Sequence, residues 1–185
     1  MKRLFDVIFS VLIIILLFLP IAFLSILIRI TSKGKVLYWS KRIGQDNNIF
    51  LMPKFRSMKE NTPQLATDLL KNPEKYITKI GALLRKTSLD ELPQIWCILI
   101  GEMSFVGPRP ALFNQYDLID MRTNKGIHKL KPGLTGWAQV NGRDNISINQ
   151  KVNYDDYYLK NKSFFLDCKI IIFTLIKVIK KDDVL

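Results

Sequence analysis

The sequence predicts a small mixed α+β domain, mainly helical and membrane-associated, with a kinked N-terminal membrane helix and amphipathic helices at the bilayer interface. Three observations carry this expectation. From Val7 to Ile28 about 22 residues pass without a charge, which is long enough to cross a bilayer. Two short β-like runs with a polar turn between them come next, and helical patterns follow. The chain closes on a basic amphipathic stretch rich in Phe and Ile. At 185 residues there is room for one domain with a real core and not for two ordinary ones.

The composition narrows the function classes. Lys+Arg total 28 against 16 Asp+Glu, a net charge of +12, so an anionic partner is implied: nucleic acid, anionic lipid or a phosphorylated substrate. Hydrophobic residues reach 48% and the mean hydropathy is +0.10, high for so basic a protein, which sends apolar segments to a membrane. His128 is the only histidine, so a histidine-based metal cluster or catalytic triad within this chain is excluded. Cys97 and Cys168 are far apart in apolar runs, as expected of buried, reduced thiols on the cytosolic side, and no zinc spacing is present. Neither a Gly-x-Gly-x-x-Gly motif nor a Walker-type loop occurs.

In the first element, Lys2 and Arg3 precede the apolar run, and Arg29, Lys33, Lys35, Lys41 and Arg42 follow it. Basic flanks stay on the cytoplasmic side, and here both flanks are basic. Pro20 removes a backbone hydrogen bond and crowds the carbonyl of Leu16, which bends a helix. A helix that dips into one leaflet and returns satisfies both flanks; a spanning helix with a tolerated proline is the alternative. Asp6, at the start of the run, is expected to pair with Lys2 or Arg3. A cleaved signal peptide is not expected, because the run is too long and lacks a cleavage site.

After Gly34, "KVLYWSKRIG" and "NIFLMPKFRSM" read as strands about a turn at Asp46 to Asn48. Residues 60 to 86 read as helical pieces broken by Pro63 and Pro73. A helix is expected from about Ser88 to Ile100, stopped by Gly101. "SFVGPRPALF" reads as a rigid elbow, and "KPGLTGWAQVNGRD" as a turn, an extended segment and an Asn-Gly turn. "NQKVNYDDYYLKN" reads as a helix. No βαβ rhythm is visible, so no parallel sheet is expected.

The last element, residues 163 to 181, puts Phe164, Phe165, Cys168, Ile171, Ile172, Leu175, Ile176 and Ile179 on one broad face. Asp167, Thr174, Lys177 and Lys181 fall on the other. Such a helix lies in the interface or packs as a terminal core helix. The two apolar ends account for much of the charge, and nucleic acid is not needed to explain it.

The chemistry centres on Asp90 and Glu91 in "SLDELPQIW". The plain reading is capping: Ser88 with Glu91 matches a capping box, although Pro93 suits Asp90 better as the N-cap. The neighbours point further. Arg85 and Lys86 come just before, and Gly107-Pro108-Arg109-Pro110 follows. Two prolines stiffen the segment around Arg109, and its planar fork of donors suits phosphate oxygens. Carboxylates, arginines and a membrane anchor together suggest a diphosphate held with Mg²⁺, which prefers one or two carboxylates plus substrate phosphates.

"KFRSM", "TSLDELPQIWCILIGEMSFVGPRPAL", "KPGLTGWAQVNGR" and "NYDDYYLKNKSFFLDCKI" together resemble the bacterial sugar transferases, the small monotopic phosphoglycosyl transferases, in the right order from Lys2 to about Lys177. The resemblance implies a minimal catalytic form: a re-entrant membrane helix over residues 1–30 and a cytosolic-face catalytic domain over 31–185 that includes the C-terminal amphipathic helix. It implies transfer of a sugar 1-phosphate from a UDP-sugar, weakly an N-acetylated amino sugar, to undecaprenyl phosphate. UMP is released at the cytoplasmic face of the bacterial inner membrane, as the first membrane step of glycan synthesis.

Asp90 matches the family's nucleophile, which forms a covalent phosphosugar intermediate in contact with Mg²⁺. Glu91 is then left to positioning or proton handling. By motif position Lys54, Arg109, Arg85 and Arg143 contact phosphate or nucleotide. Asp155 and Asp167 fall on later acidic positions and support the metal or the basic residues; for Asp155, Asp156 and Asp167 a solvated helix face is the alternative. Relatives often carry Ser before the kink proline, where this chain has Leu19, so the kink at Pro20 is held differently. A non-catalytic scaffold binding anionic lipid is the competing function. It explains the charge and the apolar ends, but not Asp-Glu with Pro-Arg-Pro at this spacing.

Overall fold

A computed structural model describes residues 2–63, 72–142 and 146–180. Helix α1 (Lys2–Thr31) opens the chain and carries Pro20 within its span. It is long and apolar enough to cross a membrane by length and composition, and most of its middle is exposed, Leu16 and Leu19 to more than three-quarters. Its two ends nonetheless make contacts with the rest of the protein. Ile28 is buried with Phe55 and Leu84. At the other end Lys2 Nζ reaches Asp167 at 2.6 Å, and Arg3 donates to the carbonyls of Ile98 and Leu99.

Asp6 corrects an expectation. It pairs with neither Lys2 nor Arg3; it is buried and accepts from Ser104 Oγ and the Phe105 N–H, both at 3.1 Å. Its distance from water makes backbone and hydroxyl donors the partners at hand.

Strands β1 (Leu37–Ile43) and β2 (Ile49–Phe55) form the expected antiparallel hairpin, with Tyr38 opposite Lys54 and Arg42 opposite Phe50. Asp46 and Asn47 adopt positive φ in the turn, which residues with short polar side chains tolerate. Short helical turns follow at Pro73–Lys75 and α2 (Lys79–Lys86), the latter capped by Thr78. Residues 64–71 of the expected helical pieces lie outside the described residues.

The single helix expected over residues 88–100 is two elements. A 3₁₀ segment, Leu89–Gln94, precedes α3 (Ile95–Ile100), and Gly101 ends it in the left-handed region. Pro93 lacks an N–H, and the tighter 3₁₀ winding accommodates it. Ser88 has φ 55° and makes no side-chain cap, so neither the capping box nor an Asp90 cap forms.

Strand β3 (Ser104–Val106) pairs with β4 (Gly133–Thr135) in parallel, overturning the expectation of no parallel pairing. Each contributes only three residues, too few for a periodicity to register. Between them lies α4 (Tyr116–Asn124). The pair is tight because of glycines: a Cβ on Gly107 would strike the Lys131 carbonyl, and one on Gly133 or Gly136 would strike the Gly107 backbone. After β4 come α5 (Trp137–Val140), α6 (Ile148–Asn161) and α7 (Phe164–Lys180). A Ser147/Gln150 capping box starts α6.

Helix α7 turns a different face to the body than its periodicity suggested. Ile170 is fully buried beside Val106, Val140 and Tyr158, and Thr174 Oγ1 lies 2.6 Å from Thr135 Oγ1. Phe165 and Ile172 are exposed, so part of the broad apolar face points away from the protein. Cys97 is buried and Cys168 half-buried, and both are free.

Candidate active site

Three elements meet at the acidic pair. The hairpin supplies Lys54 on the face it shares with Tyr38, since directly opposite residues point the same way. The 3₁₀ segment packs on β2 and carries Asp90 and Glu91. The loop after β3 brings Arg109. That loop is held along its length. Consecutive carbonyls accept hydrogen bonds: Pro108 from the Gly133 N–H at 2.9 Å, Arg109 from Arg122 Nη1 at 2.8 Å, Pro110 from Arg42 Nη1 at 3.1 Å, and Ala111 from the Ile43 N–H at 3.0 Å. Proline stiffness and these four bonds fix the backbone from which the Arg109 side chain reaches.

Glu91 is the hub. Its Oε1 accepts from Lys54 Nζ and Arg109 Nη2, each at 2.8 Å. Burial alone would raise the Glu91 carboxyl, but Arg109 and Lys54 together outweigh it and hold the group well below the usual carboxylate range. Lys54 is lowered by burial against the opposing pull of Glu91.

Asp90 is the counterpart. It is 8% exposed, and among the described residues no hydrogen bond or ion pair engages its carboxylate. Burial pushes its pKa up, Lys54 opposes the rise, and the neighbouring Glu91 charge adds to it. Arg42, on the Lys54 face of the hairpin, is brought to about 10 by burial and by the nearby Arg109. A buried carboxylate whose charge is disfavoured by burial, set beside cations and a cavity, has the chemistry of a nucleophile.

Two cavities flank the pair. One, of about 390 Å³, is basic and includes Tyr38, Arg42, Lys54, Arg85, Asp90 and Phe113 in its wall. The other, of about 440 Å³, is mostly apolar and reaches Glu91 and Arg109. Asp90 lines the first and Glu91 the second. Neighbouring residues on a helical turn point in different directions, which is how one step of chain serves both.

Of the sequence-predicted residues, Lys54, Asp90, Glu91 and Arg109 come together, and Arg85 lines the basic cavity. Arg143 lies outside the described residues. Asp155 and Asp167 are elsewhere. Asp155 is buried and accepts from Arg122 Nε at 3.0 Å and Nη2 at 2.6 Å, so it is no solvated face. Arg122 in turn donates to the Arg109 carbonyl, so Asp155 stands behind the Arg109 loop. Asp167 joins Lys2 and the Tyr158 hydroxyl and ties α7 to α1. Asp156 forms an i, i+4 pair with Lys160. Sequence reasoning missed Arg42, Tyr38 and Phe113. The signal for the first two was available: Tyr38, Ser40 and Arg42 alternate along β1 on the Lys54 face.

A magnesium ion suits this donor set only with help. Among the described residues no group of three or more His, Cys, Asp or Glu could hold a metal. Glu91 is already taken by two cations. Asp90 is the remaining carboxylate, and Mg²⁺ commonly binds one carboxylate together with substrate phosphates, so the residues fit an ion that arrives with a diphosphate.

The chain resembles known proteins along its whole length. The family model for bacterial sugar transferases matches residues 1–181. An uncharacterized sugar transferase, EpsL, of Bacillus subtilis is 38% identical, covering 100% of this chain and 90% of that protein. The UDP-glucose:undecaprenyl-phosphate glucose-1-phosphate transferase of Escherichia coli is also 38% identical, over 96% of this chain and 40% of the longer relative. A UDP-N-acetylgalactosamine-undecaprenyl-phosphate N-acetylgalactosaminephosphotransferase of Aeromonas hydrophila is 36% identical, over 82% of this chain and 37% of its own length. With the ordered motifs and the Asp-Glu pair beside a fixed Pro-Arg-Pro loop, this match settles the family: the chain belongs to the bacterial sugar transferases and is a transferase enzyme.

Proposed function

We propose that the protein transfers a sugar 1-phosphate from a UDP-sugar to undecaprenyl phosphate and releases UMP. The observation that carries this reading is the asymmetry of the acidic pair. Glu91 is neutralised by Lys54 and Arg109, whereas Asp90 lines the basic cavity and, among the described residues, no hydrogen bond or ion pair engages its carboxylate.

In this reaction a carboxylate oxygen of Asp90 attacks the β-phosphorus of the UDP-sugar. The bond from that phosphorus to the bridging oxygen breaks, and UMP leaves with the electron pair. A phosphate oxygen of undecaprenyl phosphate then attacks the same phosphorus and displaces Asp90, giving the lipid diphosphate sugar. The sugar–oxygen bond stays intact throughout. Lys54 and Arg109 meet the charge that develops on the phosphoryl oxygens, and Glu91 holds both cations in place. Proton handling is a poor task for Glu91, whose carboxyl is held so strongly ionised. Asp90 would hold Mg²⁺ together with the substrate diphosphate, and the ion would supply neutralisation of the leaving group.

Helix α1 dips into the cytoplasmic leaflet of the inner membrane and returns. A straight helix of 30 residues is about 45 Å long. Both of its ends dock on one folded body while its middle is exposed, which supports re-entry over spanning. Cysteines placed by Leu4→Cys and Lys33→Cys should react with an impermeant maleimide from the same side of inverted vesicles; labelling from opposite sides would establish a span.

The deciding test is UMP release by purified protein given undecaprenyl phosphate, Mg²⁺ and a panel of UDP-sugars that includes glucose and N-acetylated amino sugars. Release should require the lipid and be lost in Asp90→Asn and on chelation. Transfer at full rate by Asp90→Asn would remove Asp90 from the chemistry.

A further inference from the structure

The second cavity extends this reading to the lipid acceptor. It opens between α1 and α7, with Phe9 and Ile13 on one wall and Ile171 and Leu175 on the other. The outward faces of the same two helices expose Leu16, Leu19, Phe165 and Ile172. The groove is thus continuous with the surfaces that face hydrocarbon. Its inner end changes character, at Lys86, Thr87, Ser88, Glu91 and Arg109. Among the described residues none lines both this groove and the basic cavity that holds Asp90.

An apolar channel that runs from a lipid-facing slot to a cluster of cations matches a molecule with a hydrocarbon body and one anionic end. Its volume of about 440 Å³ lies within the ~300–1,000 Å³ of small-ligand sites. That accommodates the head of a long isoprenoid and not its length. Resting on the transfer reaction above, we propose that the isoprene units next to the phosphate of undecaprenyl phosphate occupy the α1–α7 groove, with the phosphate against Arg109 and Lys86. The rest of the chain passes between the two helices into the bilayer. Selection of the acceptor is then made on its first few units.

The test uses an undecaprenyl phosphate analogue with a diazirine on the isoprene nearest the phosphate, irradiated with the full chain in detergent and mapped by mass spectrometry. Label should fall on Phe9, Ile13, Ile171 or Leu175 in both wild type and Asp90→Asn. It should be displaced by undecaprenyl phosphate and not by equimolar phosphatidylglycerol. Equal displacement by the phospholipid, or label on the outward face at Ile15 and Leu19, overturns the proposal. In turnover, Ile13→Trp should raise the acceptor KM about tenfold or more by overfilling the groove, with the UDP-sugar KM unchanged. Ile15→Trp, at the same depth on the exposed face, should change neither. Normal turnover by Ile13→Trp with label elsewhere defeats the groove and leaves the reaction standing. Displaceable label in the groove without UMP release from any donor keeps the site and defeats the reaction.

Discussion

Two ionic clusters lie one behind the other in this protein, and they differ in what they leave over. Arg122 and Asp155 are buried and matched: one carboxylate oxygen takes two guanidinium N–H groups, and a third N–H goes to the Arg109 carbonyl. At the acidic pair one carboxylate answers two cations, while the second is left beside an open basic cavity. The first cluster is complete and can do no more than hold the loop. The second, among the described residues, leaves the Asp90 carboxylate without a hydrogen bond or ion pair and has room beside it. Burial of charge is common to both, so the carboxylate left over at a cavity is what marks the site.

If this contrast holds, substitutions in the two clusters should fail in different ways. The largest effect is expected for Asp90→Asn, with turnover reduced on the order of 10³-fold or more, as for loss of a nucleophile. Its stability should rise. Because burial raises the folded pKa of Asp90, the folded state binds its proton more tightly than the unfolded chain. Ionisation therefore costs stability as pH climbs above the unfolded value, and at neutral pH Asn removes that cost. A lowered melting temperature for Asp90→Asn would contradict this account.

Next comes Asp155→Ala, which strands Arg122 and should cost about 3–5 kcal/mol of stability, measured by thermal unfolding. Activity per folded molecule should fall far less than in Asp90→Asn. A stable protein with activity as low as Asp90→Asn would move Asp155 into the chemistry. Smaller again is Arg109→Lys, which keeps the charge and loses the planar fork. A fall in kcat of about 10- to 100-fold is expected, and an unchanged rate would show that the fork is not used.

The mildest expectation concerns pH. Activity needs ionised Asp90, so the rate should fall on acidification through a pKa above the ordinary carboxylate value. Glu91→Gln removes the neighbouring charge that helps raise Asp90 and releases Lys54 and Arg109 toward it. The acid limb should then move to lower pH. A shift to higher pH would mean that Asp90 is governed by something other than these neighbours.

Much of the site was legible because its residues are sequence-local in pairs: Asp90 next to Glu91, Arg109 between prolines, Lys54 in a strand. What the sequence could not convey was their geometry. Nothing local says that Lys54, 37 positions before Glu91, would share one oxygen with Arg109. Asp155 was ambiguous because its partner lies 33 positions away on another helix. The hairpin and the terminal helices were readable from period, whereas the three-residue parallel pair depends on glycines that let two backbones touch. The 3₁₀ winding at the acidic pair arises from Pro93 in a place where helix-start signals were also strong, and the proline won.

The anchoring of α1 also constrains the order in which the protein is made. Its N-terminal end, at Lys2, Arg3 and Asp6, is held by partners 95 to 165 residues further along: Ile98, Ser104 and Asp167. None of these exists when the apolar run leaves the ribosome. The run therefore enters the lipid with one end untied, and the tie closes only after α7 has been synthesised. Closing so long a loop is entropically costly and slow relative to local helix formation. The groove between α1 and α7 cannot exist before α7 does, and a nascent chain stalled before residue 164 would carry Glu91 without the α7 wall that faces it.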